Sequence, residues 1–197
     1  MIVRLLIVCI IICCVFISKA QMPQFKSNTT DQERSDSFIY QNIRGQYDQG
    51  LAYTQSGYWN SNIKSYTLLL FKNGVWYKGY LYSKRINNNV WSKPKLKLKK
   101  ARNNKVIDIF NGLNSAGLWT MSRDSLNIHE RKNKDGTVTK LSLYDDNNYH
   151  FEIFNGENFA ISESYAPEYF LEELPENKIL ERFIKARDWF VINYKAL

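Results

Sequence analysis

Two apolar runs, Tyr66 to Phe71 and Val75 to Tyr82, flank Asn73-Gly74, a dipeptide that strongly marks a two-residue turn. The pattern predicts a β-hairpin in which Phe71 faces Trp76, Leu70 faces Tyr77 and Leu68 faces Gly79. Leu68, Leu70, Tyr77 and Leu81 then share one face, and Thr67, Leu69, Phe71, Trp76, Lys78 and Tyr80 share the other. The chain continues as SKPKLKLKK over residues 92–100. Its alternation predicts a third strand, with Lys95, Lys97 and Lys99 in water and Leu96 and Leu98 toward the core. The spacing turns helical over 104–114 (Val106, Ile107, Phe110, Leu113), and Leu118 to Met121 reads as strand again.

From Leu126 to Tyr165 three turn signals recur at regular spacing: Asp135-Gly136, Asp145 to Asn148 and Asn155-Gly156. With three-residue second and third loops, Leu143 faces Phe151, Leu141 faces Ile153, and Phe159 and Ile161 continue that side, which predicts a β-meander. Pro167 opens a helical turn, and Pro175 suits the first position of a final helix. Ile179, Leu180, Phe183, Ile184, Arg187, Phe190 and Val191 recur at helical spacing to about Tyr194, an amphipathic helix. Residues 21–57 read as a polar leader. Thr30 and Glu33 stand at capping-box spacing there, and a weak stripe (Phe38, Ile39, Ile43, Tyr47, Leu51) predicts a marginal helix near 31–50. The expected fold class is α+β: one domain over 58–197, an antiparallel meander sheet of seven to eight strands packed by the C-terminal helix. The sheet is expected to range from strongly curved to barrel-like.

Composition changes this picture first at the N-terminus. Arg4 precedes an apolar run from Leu5 to Ile17, and Ser18-Lys19-Ala20 supplies small residues where a signal peptidase reads them. Residues 1–20 are expected to be a signal peptide cleaved between Ala20 and Gln21, because the run is shorter than the roughly 20 residues of a membrane span. An uncleaved anchor is the alternative. Cys9, Cys13 and Cys14 all fall inside this segment, so the rest of the chain has no cysteine. That excludes disulfides, a thiol nucleophile and cysteine metal sites there. The expectation is an exported bacterial protein, periplasmic, outer-membrane-associated or secreted, with no membrane span after cleavage.

The formal net charge of +8 falls to +6 without Arg4 and Lys19, and it is unevenly distributed. Residues 72–107 contain no acid. Residues 145–181 carry ten acids and a single base, Lys178. Such asymmetry marks either an interaction surface or internal pairing.

The lysine strand admits two readings. Lysines guard exposed sheet edges against aggregation, and that is the preferred one. The other is a surface for a polyanion, with Lys95, Lys97, Lys99, Trp76, Lys78 and Tyr80 as binding residues. Burial of the aromatic face under a helix competes with its use as a stacking platform. Catalytic candidates come from the meander register, which sets His129, Arg131, His150 and Glu152 on one outer face beside Ser142 and Tyr144. Glu152 as base, His129 as acid and Arg131 on the phosphate would suit metal-independent RNA cleavage. A solvated strand face is the simpler account of the same residues. No histidine or cysteine spacing suits a metal, and no phosphate-binding glycine loop occurs, so neither metal nor cofactor is expected.

The export signal, the cysteine-free body and the stretches FKNGVWYKGYLYSK and YHFEIFNGENFAISESYAPEYF resemble small exported proteins of Bacteroidota-type bacteria. The resemblance covers most of the chain after residue 20 and implies a location, with no catalytic residues attached. The expected function is a non-enzymatic exported protein that binds an envelope component, a small ligand or a protein partner through its sheet. Acidic glycans, envelope polymers and acidic proteins are the expected partners, and nucleic acid is not expected in vivo. The alternative is a small basic hydrolase using His129, Glu152 and Arg131.

Overall fold

In the computed structural model, which describes residues 22–57, 62–87 and 90–197, the hairpin forms around Asn73 and Gly74. Both turn residues have positive φ, 50° and 80°, as a type I′ turn requires. Counting strands along the chain, the hairpin joins β2 (Ile63–Lys72) to β3 (Val75–Asn87), with Phe71 opposite Trp76, Leu70 opposite Tyr77 and Leu68 opposite Gly79. The lysine strand is β5 (Lys95–Lys100). Among the described residues it pairs with β3 alone, which makes it an edge strand. The expected signal peptide, including Ala20 and Gln21, lies outside the described residues.

The polar stretch read as a leader holds a central strand. β1 (Gln49–Gly57) lies between β2 and β8 (Asn147–Asn155), and β9 (Asn158–Tyr165) follows β8 as a hairpin. With β4 (Val90–Trp91) also on β3, the described strands form a seven-stranded antiparallel sheet in the order β4-β3-β2-β1-β8-β9, with β5 beside β3. The sheet is open, so the barrel-like option is not realised. The meander expectation changes too. Among the described residues β6 (Glu130–Lys132) and β7 (Val138–Lys140) pair only with each other. Ile153 and Phe151 therefore lie opposite Leu51 and Tyr53 of β1, not Leu141 and Leu143. The stretch from Leu118 is a 3-10 turn (Leu118–Thr120), not a strand.

Helices cover both faces. On one, α1 (Asp31–Asp36) and α2 (Phe38–Ile43) replace the single marginal helix. Thr30 and Glu33 form the expected capping box, and Ser37 both ends α1 and caps α2. Ile39 and Ile43 pack on Leu68, Leu70, Leu81, Phe154, Phe159 and Ile161. The other face carries α3 (Asn103–Ala116), the short α4 (Arg123–Leu126), α5 (Pro167–Glu173) and α6 (Lys178–Lys195). Asn177, not Pro175, starts α6, its side chain accepting from the Leu180 N–H at 3.2 Å. Leu180, Phe183, Ala186, Phe190 and Tyr194 form its buried stripe against Leu51, Leu69, Phe151 and Ile153. No described helix is long and apolar enough to cross a membrane.

Candidate functional site

Pairing of β3 with β5 sets Lys78 opposite Lys99, Tyr80 opposite Lys97 and Tyr82 opposite Lys95. Gly79 permits this close crossing, since a Cβ there would lie 1.8 Å from the Lys97 carbonyl oxygen. Docking of α6 brings its last turn to the same corner. The Tyr194 hydroxyl donates to the Gly79 carbonyl at 2.8 Å, and its ring meets that of Tyr80 edge-on at 6.1 Å. These elements enclose a cleft of about 420 Å³ lined by Lys78, Tyr80, Lys97, Lys99, Tyr194 and Lys195, together with Gly79 and Leu98.

The cleft is one-signed. Four lysines line it and no carboxylate does. Lys78 is only 8% exposed; its stem is buried and its ammonium opens on the cleft, 5.6 Å from the centre of the Tyr194 ring. Burial, then the charges of Lys99 and Arg102, pull its pKa below the usual lysine value. Like charges directly opposed across two strands destabilise a sheet, and a lysine desolvated without a carboxylate adds to that cost. Among the described residues four of the ten acids of 145–181 hold arginines elsewhere: Glu157 with Arg44, Glu163 with Arg123, Glu168 with Arg187 and Glu173 with Arg131. Among the described residues from 72 to 107 the sole ion pair is Lys105 with Asp108. No ion pair among the described residues joins this acidic third to Lys95, Lys97 or Lys99, and none of its acids lines the cleft.

Of the six residues singled out for binding, Lys78, Tyr80, Lys97 and Lys99 line the cleft. Lys95 is exposed beyond it, opposite Tyr82. Trp76 is fully buried under α3, its ring 5.1 Å from Phe71 and 5.0 Å from Phe110, so it offers no stacking surface. Tyr194 and Lys195 were not signalled by the sequence, since only the docking of α6 makes them part of the site.

The catalytic candidates separate. His150 and Glu152 do share a face of β8, the one that carries α1 and α2. Glu152 is 2% exposed and accepts from the Ser37 hydroxyl, and His150 Nε2 lies 3.1 Å from its Oε1. Glu163, opposite His150 on β9, lies 3.8 Å from His150 Nδ1 and accepts from Arg123 at 2.6 Å; Arg123 in turn reaches Glu33 at 2.8 Å. Burial disfavours the charged His150, but the carboxylates of Glu152 and Glu163 beside it outweigh this and raise its pKa to about 9. Burial likewise opposes the Glu163 carboxylate, and His150, Asn148 and Arg123 overcome it, bringing its pKa to about 2. His150, Arg123, Glu33 and Ser37 of this cluster line a larger polar cleft of about 950 Å³.

His129 and Arg131 lie across the sheet from it. The His129 ring stacks on Phe170 of α5, in the core under α6, and burial lowers its pKa, favouring the neutral imidazole. Arg131 pairs with Glu173 at 3.3 Å. The expected outer face with Ser142 and Tyr144 does not form, because β7 never joins β8. Among the described residues no cluster of three or more His, Cys, Asp or Glu side chains is arranged to hold a metal ion. No protein-family model, curated protein or solved structure matches the chain.

Proposed function

We propose that this is an exported, non-enzymatic binding protein that takes an anionic group of its partner in the cleft between β3, β5 and α6. The observation that carries this reading is the opposed pair Lys78 and Lys99, desolvated on one side and without a carboxylate in reach. Such a pair lowers the stability of the empty protein and is relieved when an anion enters, so binding energy is concentrated there. The carbonyl end of α6 supplies only partial charge and offsets a fraction of it. The hydrolase reading loses support, because its base and its acid lie on opposite faces of the sheet. Acidic glycans, envelope polymers and acidic proteins all carry the required chemistry.

Lys78→Gln separates a binding lysine from a structural one. Titration with tripolyphosphate, followed by calorimetry, is expected to weaken roughly tenfold, the size of one charge-assisted hydrogen bond. Thermal stability without ligand should hold or rise, since repulsion is relieved. Unchanged binding together with a lower melting temperature would overturn the proposal. Export belongs to the same reading: the mature protein is expected to begin at Gln21, and intact mass of the protein recovered outside the cytoplasm tests it.

A further inference from the structure

We infer that the partner presents an extended, acidic polypeptide segment that adds to the sheet as a further strand alongside β5. This rests on the anion-binding reading of the cleft and narrows it to one class of partner. The first observation is backbone. β5 pairs with β3 on one side and with no described strand on the other, so alternate N–H and C=O groups along Lys95–Lys100 face outward. An unpaired edge is a template for a strand from another chain, whose main chain supplies affinity while alternate side chains supply specificity.

The second observation is the period of the side chains. Lys97 and Lys99 line the cleft, and Leu96 and Leu98 alternate with them on the opposite face. Leu98 is partly buried against the α2-side core, and Leu96 remains 36% exposed. An incoming strand places residues opposite these positions with the same alternation. Acids opposite Lys97 and Lys99 form cross-strand ion pairs and relieve the Lys78–Lys99 repulsion. Apolar residues opposite Leu96 and Leu98 cover the leucine left open. The complementary segment thus alternates acid with apolar residue.

Guarding and binding are then the same device. A second copy of β5 would set lysine against lysine, so the edge rejects its own kind while accepting an acidic strand. An acidic glycan satisfies the charges but leaves the outward N–H and C=O groups unmatched. The segment is assigned to another chain, because no described strand of this one lies along the outer side of β5 and no acid of it lines the cleft.

The test uses the mature protein and a fluorescent, end-capped Glu-Val-Glu-Val-Glu-Val-Glu peptide, read by anisotropy. Binding is expected, and a Lys-Val peptide of the same length should not bind. Peptides N-methylated on alternate residues, in the two possible frames, supply the strand signature. One frame faces β5 and should weaken binding about tenfold or more, while the other faces water and should bind normally. Lys97→Gln with Lys99→Gln should weaken the parent peptide about tenfold. Binding indifferent to N-methylation in both frames would overturn strand addition. So would a peptide that fails to bind while tripolyphosphate still binds in a Lys78-dependent manner, an outcome that leaves the cleft reading standing. If neither probe binds, both readings fall.

Discussion

The two long edges of the main sheet are finished in different ways. At β9 the backbone is satisfied by side chains of the segment that precedes α1. Asn28 takes the Ile161 N–H at 2.8 Å and gives its amide to the Ile161 carbonyl at 2.9 Å and the Met121 carbonyl at 3.1 Å. Ser27 accepts from the Phe159 N–H at 3.0 Å, and Thr29 donates to the Phe159 carbonyl at 3.1 Å. Met22 and Phe25 anchor the same segment in the core. At β5 nothing among the described residues covers the edge, and lysines stand along it. A closed edge draws its security from specific hydrogen bonds, so its residues answer to stability. An edge held open by charge answers to solubility and to partners.

The comparison rests on a core shared by both edges, and breaking that core gives the largest expected effect. Phe183 is fully buried against the face that both edges border. Phe183→Ala is expected to cost about 3–5 kcal/mol, a large part of the roughly 5–15 kcal/mol of a domain. Amide exchange should accelerate at β9 and β5 together, as in a global opening. Acceleration at one edge alone would mean that the two halves of the sheet are separate cooperative units.

Asn28→Ala should cost less and act on one side. It leaves the Ile161 N–H and two carbonyls without their partner, at about 2–3 kcal/mol in all. Exchange should rise at β9 and remain unchanged at Lys97 and Lys99, whose N–H groups face β3. A loss below about 1 kcal/mol in denaturant midpoint would show that the preceding segment does not close the edge.

How far these regions could be read in the sequence follows the same division. The β2–β3 hairpin, β5, α3 and α6 are local patterns, and Asn73-Gly74 and the Lys–Leu alternation disclose them. β1 is not. Its buried run Gly50–Tyr53 is covered on both faces, so it lacks alternation, and its outer half is polar where it borders the larger cleft. Without β1, β8 lacks its true neighbour, and the expected β7–β8 pairing takes its place while the β8–β9 hairpin stands. For the site, Lys78, Tyr80, Lys97 and Lys99 follow from the hairpin register. Tyr194 needs the docking of α6, and Glu163, Ser37 and Arg123 need the β1–β8–β9 order. None of these carries a local signal.

Titration should act through the β9 half. The pKa of His150 is raised from 6.5 to about 9, so its stabilisation is complete below about pH 6.5 and is lost as pH rises through 9. That of Glu163 is lowered from 4.5 to about 2, so its share is complete above about pH 4.5 and is lost as pH falls toward 2. Stability should therefore plateau between these limits, with limbs on the order of 2 kcal/mol. His150→Gln is expected to flatten the alkaline limb in melting temperature against pH. Lys78 works in the opposite sense, because a depressed lysine pKa makes stability rise with pH near its titration. An alkaline limb that survives in His150→Gln would assign it to another group.

The smallest effect on stability belongs to the open edge. Changing Lys95, Lys97 and Lys99 together to Gln should alter the denaturant midpoint by less than about 1 kcal/mol, because exposed charges contribute little. Leu96→Asp should also be mild. Alternation alone assigns Leu96 to the core, but at 36% exposure a carboxylate there keeps most of its water. Leu98→Asp should cost more, since that side chain packs against the α2-side core. The triple lysine variant should instead show its effect in association. Without like charges facing each other across two copies of β5, sedimentation velocity is expected to reveal dimers or larger species where the parent stays monomeric. Asn28→Ala should do the reverse, losing stability with little change in association while it remains folded. If the triple variant loses more than about 1 kcal/mol and stays monomeric, the lysines hold β5 in place, and the contrast between the two edges fails.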